Sequence, residues 1–215
     1  MELNVEEISV INRSADLEER NADANPIRQF QVWFDEAMGR GLPLAEAMTL
    51  CTATSDGKPS ARMVLLKGVA ESGFVFYTNY CSRKARELDA NPFAALVFYW
   101  EPLERQVRVE GKVSRISADE SDKYFRTRPR ESQLGAIASP QSDVIESREE
   151  LEREFQELEE KYSDDQTIER PAHWGGYRLV PERIEFWKGR PGRLHDRLLY
   201  ELQPDGSWKR SRLAP

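Results

Sequence analysis

From residue 25 onward the apolar positions fall into blocks whose period changes along the chain. Asn25 stands where a cap is needed and Pro26 suits a first turn. Ile27, Phe30, Phe34 and Met38 then recur at helical spacing, predicting an amphipathic helix that Gly39 and Gly41 end. The period next switches to two. Residues 47–54, 60–69 and 74–78 read as strands, parted by the turn signals Ser55-Asp56-Gly57-Lys58 and Glu71-Ser72-Gly73. A short helix over 82–90, with Ser82 as its cap and Asn91-Pro92 as its stop, interrupts them. Strands over 93–100 and 105–116 follow. In the second, Val107, Val109 and Val113 alternate with Arg108, Glu110 and Lys112, the pattern of an antiparallel sheet with one wet face.

Ser117 and Glu120 form a capping box that opens a helix over 118–128. Ser147 opens another that runs to about Tyr162, with Leu151, Phe155 and Leu158 as its expected buried stripe. Strands over 175–180, 183–187, 193–202 and 208–213 complete the chain. Residues 1–24 carry no sustained period and read as a flexible arm, leaving 25–215 as one domain. Strands joined by short turns, with neither βαβ alternation nor an internal repeat, predict a mainly β fold: an antiparallel barrel with flanking helices.

Composition narrows the function classes. The longest apolar run, Phe93 to Trp100, is too short to cross a bilayer, and the acidic start is unlike a signal peptide, so a cytoplasmic protein without membrane association is expected. Cys51 and Cys81 make no Cys-x-x-Cys, and His173 and His195 lie far apart; neither a disulfide framework nor a metal site is expected. The net charge of −7 argues against nucleic acid as a partner. That charge is segregated, however. Residues 105–130 hold eight basic side chains against four acidic ones, whereas 146–161 hold eight Glu and read as a solvated helix face. Concentrated arginine in an acidic chain answers a small anionic ligand.

No Gly-x-Gly-x-x-Gly, P-loop or Gly-x-Ser-x-Gly occurs, so a phosphorylated ligand would have to be held by side chains and helix N-termini. Four places offer this. Ser82-Arg83-Lys84 gathers a hydroxyl and two cations where a helix begins. Tyr124 and Arg128, at i and i+4 with Ser132 close behind, would share a helix face. On a strand Arg193, His195 and Arg197 would project together, an anion-seeking surface around an imidazole. Arg62 and Lys67 bracket an apolar run, but five residues apart they should face opposite ways, which calls for a bulge or for two different ligands. Each place, taken alone, also reads as an ordinary charged surface.

Together the motifs carry a resemblance. Arg62-Met-Val-Leu-Leu-Lys67, Phe76-Tyr-Thr-Asn79, Ser82-Arg-Lys84, Glu104-Arg-Gln-Val107 and Tyr124-Phe-x-x-Arg-Pro129 occur in order. They are followed by Ser132-Gln-x-Gly-Ala136, Ser139-x-Gln-Ser142, Trp174-Gly-Gly176, Glu185-Phe-Trp187, Arg193-Leu-His-Asp-Arg197 and Arg212-Leu-Ala-Pro215. The chain from about Asn25 to its end thus resembles the pyridoxine (pyridoxamine) 5′-phosphate oxidase family. The resemblance implies an FMN-binding split barrel that works as a homodimer with FMN between subunits. By matching motif, FMN would be held by Arg62, Met63, Val64, Leu65, Leu66, Lys67, Tyr77, Thr78, Arg83, Lys84, Gln106, Gln141, Ser142, Trp187 and Arg197. Substrate phosphate would meet Lys67, Tyr124, Arg128 and Ser132. Arg193, Leu194 and His195 would lie against the pyridine ring, with Arg193 and His195 as the catalytic pair.

The reaction implied is oxidation of pyridoxine or pyridoxamine 5′-phosphate to pyridoxal 5′-phosphate, with O2 as acceptor and H2O2 as product. The alternatives are a related FMN oxidase of another aromatic substrate of phenazine type, and a non-catalytic flavin-binding module. One departure stands out. Many members carry an Arg-x-x-Tyr motif in the N-terminal arm, and the stretch from Glu6 to Ala15 has none.

Overall fold

The computed structural model describes residues 17–162 and 166–215. Among them nine strands make one antiparallel sheet: β1 (Ala47–Ala53), β2 (Pro59–Leu65), β3 (Gly68–Ala70), β4 (Gly73–Asn79), β5 (Phe93–Trp100), β6 (Arg105–Arg115), β7 (Trp174–Lys188), β8 (Asp196–Leu202) and β9 (Trp208–Arg212). Helices α1 (Pro26–Gly39), α2 (Arg83–Ala90), α3 (Ala118–Thr127), α4 (Arg130–Ala138) and α5 (Arg148–Lys161) flank it. The strand order is β2-β1-β5-β6-β7-β4-β3, and β8 with β9 extends from the second half of β7. Its two ends are joined by only Leu66 and Lys67, whose amides donate to Glu46 O and Val75 O. The sheet therefore curls into a half-barrel, the split-barrel architecture expected from the strand pattern.

The inner face supplies the core. Met48, Leu50, Leu96, Phe98, Val107, Val109, Phe186, Leu198 and Tyr200 are fully buried, and side chains of this size stabilise by roughly 1.5–3 kcal/mol each on leaving water. Helix α1 plugs the open side, its Phe30 ring 4.9 Å from both Phe74 and Phe98. Asn25 caps that helix by accepting from the amides of Ile27 and Arg28. The buried stripe is Ile27, Phe30, Trp33 and Ala37, while Met38, expected on it, is exposed. A smaller core of Phe125, Leu134, Ile168 and Trp174 joins α3–α5 to the start of β7.

Several expected elements differ for local reasons. The strand over 60–69 breaks into β2 and β3 at Leu66–Lys67. The two strands over 175–180 and 183–187 are one, because Pro181 falls opposite Gly111 at a register shift, where no ladder amide is required. The last long strand starts at Asp196 rather than 193. Helix α4 carries no local sequence signal: it contains Gly135, has no side-chain cap, and is held by burying Leu134 and Ala138. Ser82 precedes α2 without capping it, and α5 has no fully buried residue, its Phe155 and Leu158 packing half-buried.

Residues 17–24 are tied to β8 and β9. Tyr200 donates to Asp23 O (2.7 Å), Arg210 to Ala22 O (2.9 Å), and Arg212 to Leu17 O (3.1 Å) and the Glu19 carboxylate. The Glu6–Ala15 stretch lies outside the described residues. Among the described residues no helix is long and apolar enough to cross a membrane.

Candidate functional site

The break between β2 and β3 removes the parity conflict between Arg62 and Lys67. Because the strand ends at Leu65, both residues line one cleft of about 310 Å3, together with Met63, Val64 and Leu65. Strand β4 adds Tyr77 and Thr78, α2 adds Lys84, and the segment after α4 adds Gln141. Tyr124 and Arg128, from the end of α3, close one side with Trp174. Most of the residues predicted for two separate anions are therefore neighbours.

The cleft's cations differ in how they are satisfied. Lys84 is buried, and its Nζ donates to Gln141 Oε1 (2.9 Å) and Thr78 Oγ1 (3.2 Å), both neutral. Burial, helped by the nearby charge of Arg62, pulls this ammonium down to about 8. Arg62 is engaged on its inner side: Nη1 donates to Thr52 Oγ1 and Leu50 O, and Nη2 to Ser60 Oγ. Its Nη2 also lies 3.3 Å from Glu87 Oε2. Arg83, mostly exposed, turns to Glu87 Oε1 (2.8 Å) and does not line the cleft.

At the far wall three rings stack. Tyr77 lies 3.9 Å from Tyr124 and 5.3 Å from Trp174, centroid to centroid, with planes within 16°. Burial pushes the Tyr77 phenol up to about 12, so it stays a neutral donor. Arg128 sits with Cζ 4.5 Å over the Trp174 ring, and its buried Nη1 has no partner among the described residues. Trp174 belongs to the Trp174-Gly-Gly176 motif, and the sequence alone does not place it in the site. Its position opposite Asn79 in the β4–β7 ladder brings it beside Tyr77, a relationship visible only once the strands are paired. Leu66 is buried, and neither it nor Ser132 on α4 nor Ser142 after Gln141 lines the cleft.

A second group stands elsewhere. Tyr99, Gln106, Trp187 and Arg197 are directly opposed across β5, β6, β7 and β8, so they form one row on the outer face of the sheet. Trp187 is thirteen residues along β7 from Trp174, about 40 Å of strand. The His195 ring packs 4.6 Å from that of Trp187, and its Nδ1 accepts the Arg190 amide (3.1 Å), which leaves Nε2 to carry the proton of the neutral ring. Arg197 donates to Glu185 Oε1 (2.8 Å).

The shared strand face expected for Arg193, His195 and Arg197 is absent. Arg193 ends a 3-10 turn (Pro191–Arg193) with φ 63°, so alternation does not begin until Asp196, and Leu194 is 73% exposed. Asp196 instead pairs with Arg190 and Arg212, fixing the base of this turn.

Comparison with known proteins decides the family. Residues 34–162 match the model of pyridoxamine 5′-phosphate oxidase. The chain belongs to the pyridoxamine 5′-phosphate oxidase family. Residues 174–215, which carry the outer-row tryptophan and the Arg193–Arg197 segment, match that family's C-terminal dimerisation region. The chain is 62% identical over 201 residues to the pyridoxine/pyridoxamine 5′-phosphate oxidase of Rubrobacter xylanophilus, covering 94% of this chain and 92% of that one. It is 57% identical over 203 residues to the enzyme of the same name from Burkholderia lata, covering 94% of each. Among solved structures, PhzG from Burkholderia lata, in complex with tetrahydrophenazine-1-carboxylic acid, superposes with a TM-score of 0.88 at 32% identity, covering 94% of this chain and 98% of that one.

Proposed function

We propose that this member of the pyridoxamine 5′-phosphate oxidase family is an FMN-dependent enzyme that oxidises pyridoxine or pyridoxamine 5′-phosphate with O2, giving pyridoxal 5′-phosphate and H2O2. The observation that carries the reading is a cleft with one buried cation, Lys84, and one half-buried cation, Arg128, neither neutralised by a carboxylate among the described residues. Among the described residues Lys84 meets only amide and hydroxyl oxygens, and Arg128 Nη1 has no partner. Buried charges are costly unless paired, so two such groups about one cleft call for two anions. A flavin mononucleotide phosphate and a substrate phosphate answer that demand.

The residues present fit FMN. Lys84, Arg62, Thr78 and Gln141 would hold its phosphate, and the β2 segment Met63 to Leu65 would run beside its ring. Bound FMN supplies the hydride acceptor and the reactivity toward O2. The chain's own residues do the rest. Arg128 over Trp174, with Tyr124 and Lys67, would fix the substrate phosphate and so aim its C4′ group. His195, with its proton on Nε2, and Arg193 on its exposed turn would donate to the pyridine substituents and steady charge there.

Gln106, Trp187, Arg193, His195 and Arg197 would come to each cleft from a second copy. Two features support this: the length of β7 between the two groups, and the outer row itself, where Tyr99 is 58% exposed and lies beside Trp187's neighbour Gln106. The match of 174–215 to a dimerisation region agrees.

A phenazine-type oxidase is the second reading, favoured by the PhzG superposition. The Burkholderia lata pair weighs against it: the chain is 57% identical to the pyridoxine/pyridoxamine enzyme of that organism and 32% identical to PhzG. The test is turnover. Purified FMN-loaded protein should release peroxide with pyridoxine 5′-phosphate and far less with unphosphorylated pyridoxine. Equal rates on both, or activity confined to a reduced phenazine carboxylate, would reject the reading.

A further inference from the structure

Behind the cleft lies a buried carboxylate that the proposed chemistry does not use. Glu87, on the inner face of α2, is only 5% exposed. Its Oε2 accepts from Thr52 Oγ1 (2.5 Å) on β1 and Ser60 Oγ (2.5 Å) on β2, and lies 3.3 Å from Arg62 Nη2. Its Oε1 accepts from Arg83 Nε one helical turn back (2.8 Å). These hydrogen bonds outweigh its burial and hold the carboxyl down at about 2, so it is ionised at any working pH.

We infer that Glu87 is the positioning residue for the cofactor phosphate site, fixing Arg62 at the mouth of the cleft by tying β1, β2 and α2 to one acceptor. The inference rests on the FMN reading above. Arg62 is on β2, whose side chains are otherwise half-exposed or exposed. With nothing behind it, its long side chain would sample many rotamers, and ordering it on binding would oppose affinity. Thr52 and Ser60 each bond both Glu87 and Arg62, so the four side chains form a closed network in which the guanidinium has a single set of partners.

The sign of the effect separates positioning from charge. A carboxylate beneath a phosphate site repels the phosphate. If Glu87 acted only through charge, removing it would tighten FMN binding. If it positions Arg62, its loss weakens binding despite the relieved repulsion. Gln at this position removes the charge yet can keep an oxygen for Thr52, Ser60 and Arg62, giving up only the bond to exposed Arg83.

The experiment titrates apoprotein with FMN and follows quenching of the free flavin's fluorescence, with melting of each apoprotein as the check on folding. Glu87→Ala should weaken FMN binding about tenfold or more, the scale of one charge-assisted contact. Glu87→Gln should bind as wild type or tighter. In an Arg62→Ala background Glu87→Ala should cost little further, since the residue it positions is gone. Should Glu87→Ala fail to fold, Ser60→Ala replaces it in the same cycle, weakening binding severalfold only when Arg62 is present. Tighter or unchanged binding by folded Glu87→Ala, or an equal loss with and without Arg62, would overturn the inference. A wild-type apoprotein that does not bind FMN at all would overturn instead the reading on which it rests.

Discussion

Arg128 lies over the Trp174 ring at 4.5 Å, half-buried, with one guanidinium nitrogen unpartnered among the described residues. The ring holds the cation without neutralising it, since a π face attracts but does not accept the N–H bonds a phosphate would. Arg128→Ala should therefore raise the Michaelis constant for pyridoxine 5′-phosphate by roughly ten- to a hundredfold, the loss of a charge-assisted contact. FMN content should stay near wild type, because the cofactor phosphate is assigned to Lys84, Arg62, Thr78 and Gln141 and not to Arg128. Steady-state kinetics with FMN occupancy from absorbance checks both.

Lys84 gives a pH dependence. Burial has lowered its ammonium to about 8, so above that pH the free site must take up a proton to hold an anion. The FMN dissociation constant should rise as pH passes through about 8, by up to about tenfold per unit. Lys84→Met should bind more weakly and show no such rise. The apoprotein should behave oppositely. Between about 8 and the ordinary 10.5 the unfolded chain binds this proton and the folded one does not, so Lys84's contribution to stability increases with pH across that window.

Tyr99, in the same outer row as Gln106 and Trp187, tests the second copy. Tyr99→Glu should give a folded monomer that has lost FMN, since the residues it would separate are those no single chain brings to the cleft. Sedimentation with detection at flavin wavelengths reads mass and cofactor together. A monomer that keeps FMN would contradict the two-chain site.

Gly111 is a structural control. A Cβ there would stand 2.0 Å from Val180 O, backbone at the register shift opposite Pro181. Gly111→Ala should cost about 1–3 kcal/mol, or roughly 3–10 °C of melting temperature in a chain of this size. Calorimetry of wild type and variant checks it.

The chain's alternation carried the sheet because inward and outward residues differ sharply: Val107 and Val109 are fully buried while Arg108 and Glu110 face out. Where structure depends on contacts distant in sequence, the pattern ran out. Helix α4 has no cap and a glycine inside, and exists because Leu134 finds Phe125 and Trp174. Continuing β8 backwards makes Arg193 a strand residue, although the Pro191-Gly192 pair just before it is a turn signal, and Gly192 and Arg193 both take positive φ. The cleft was legible as separate cationic motifs, but not as one place. Arg62 and Lys67 meet there because a strand breaks between them, and Trp174 joins them through its pairing with Asn79.

The most direct measurement mixes FMN-loaded protein with pyridoxine 5′-phosphate in the absence of oxygen and records the flavin absorbance. The account predicts stoichiometric bleaching, formation of pyridoxal 5′-phosphate, and return of the oxidised spectrum with peroxide when air is admitted. Protein that binds FMN yet keeps its oxidised spectrum with the phosphorylated substrate, while bleaching with a reduced phenazine carboxylate, would contradict it.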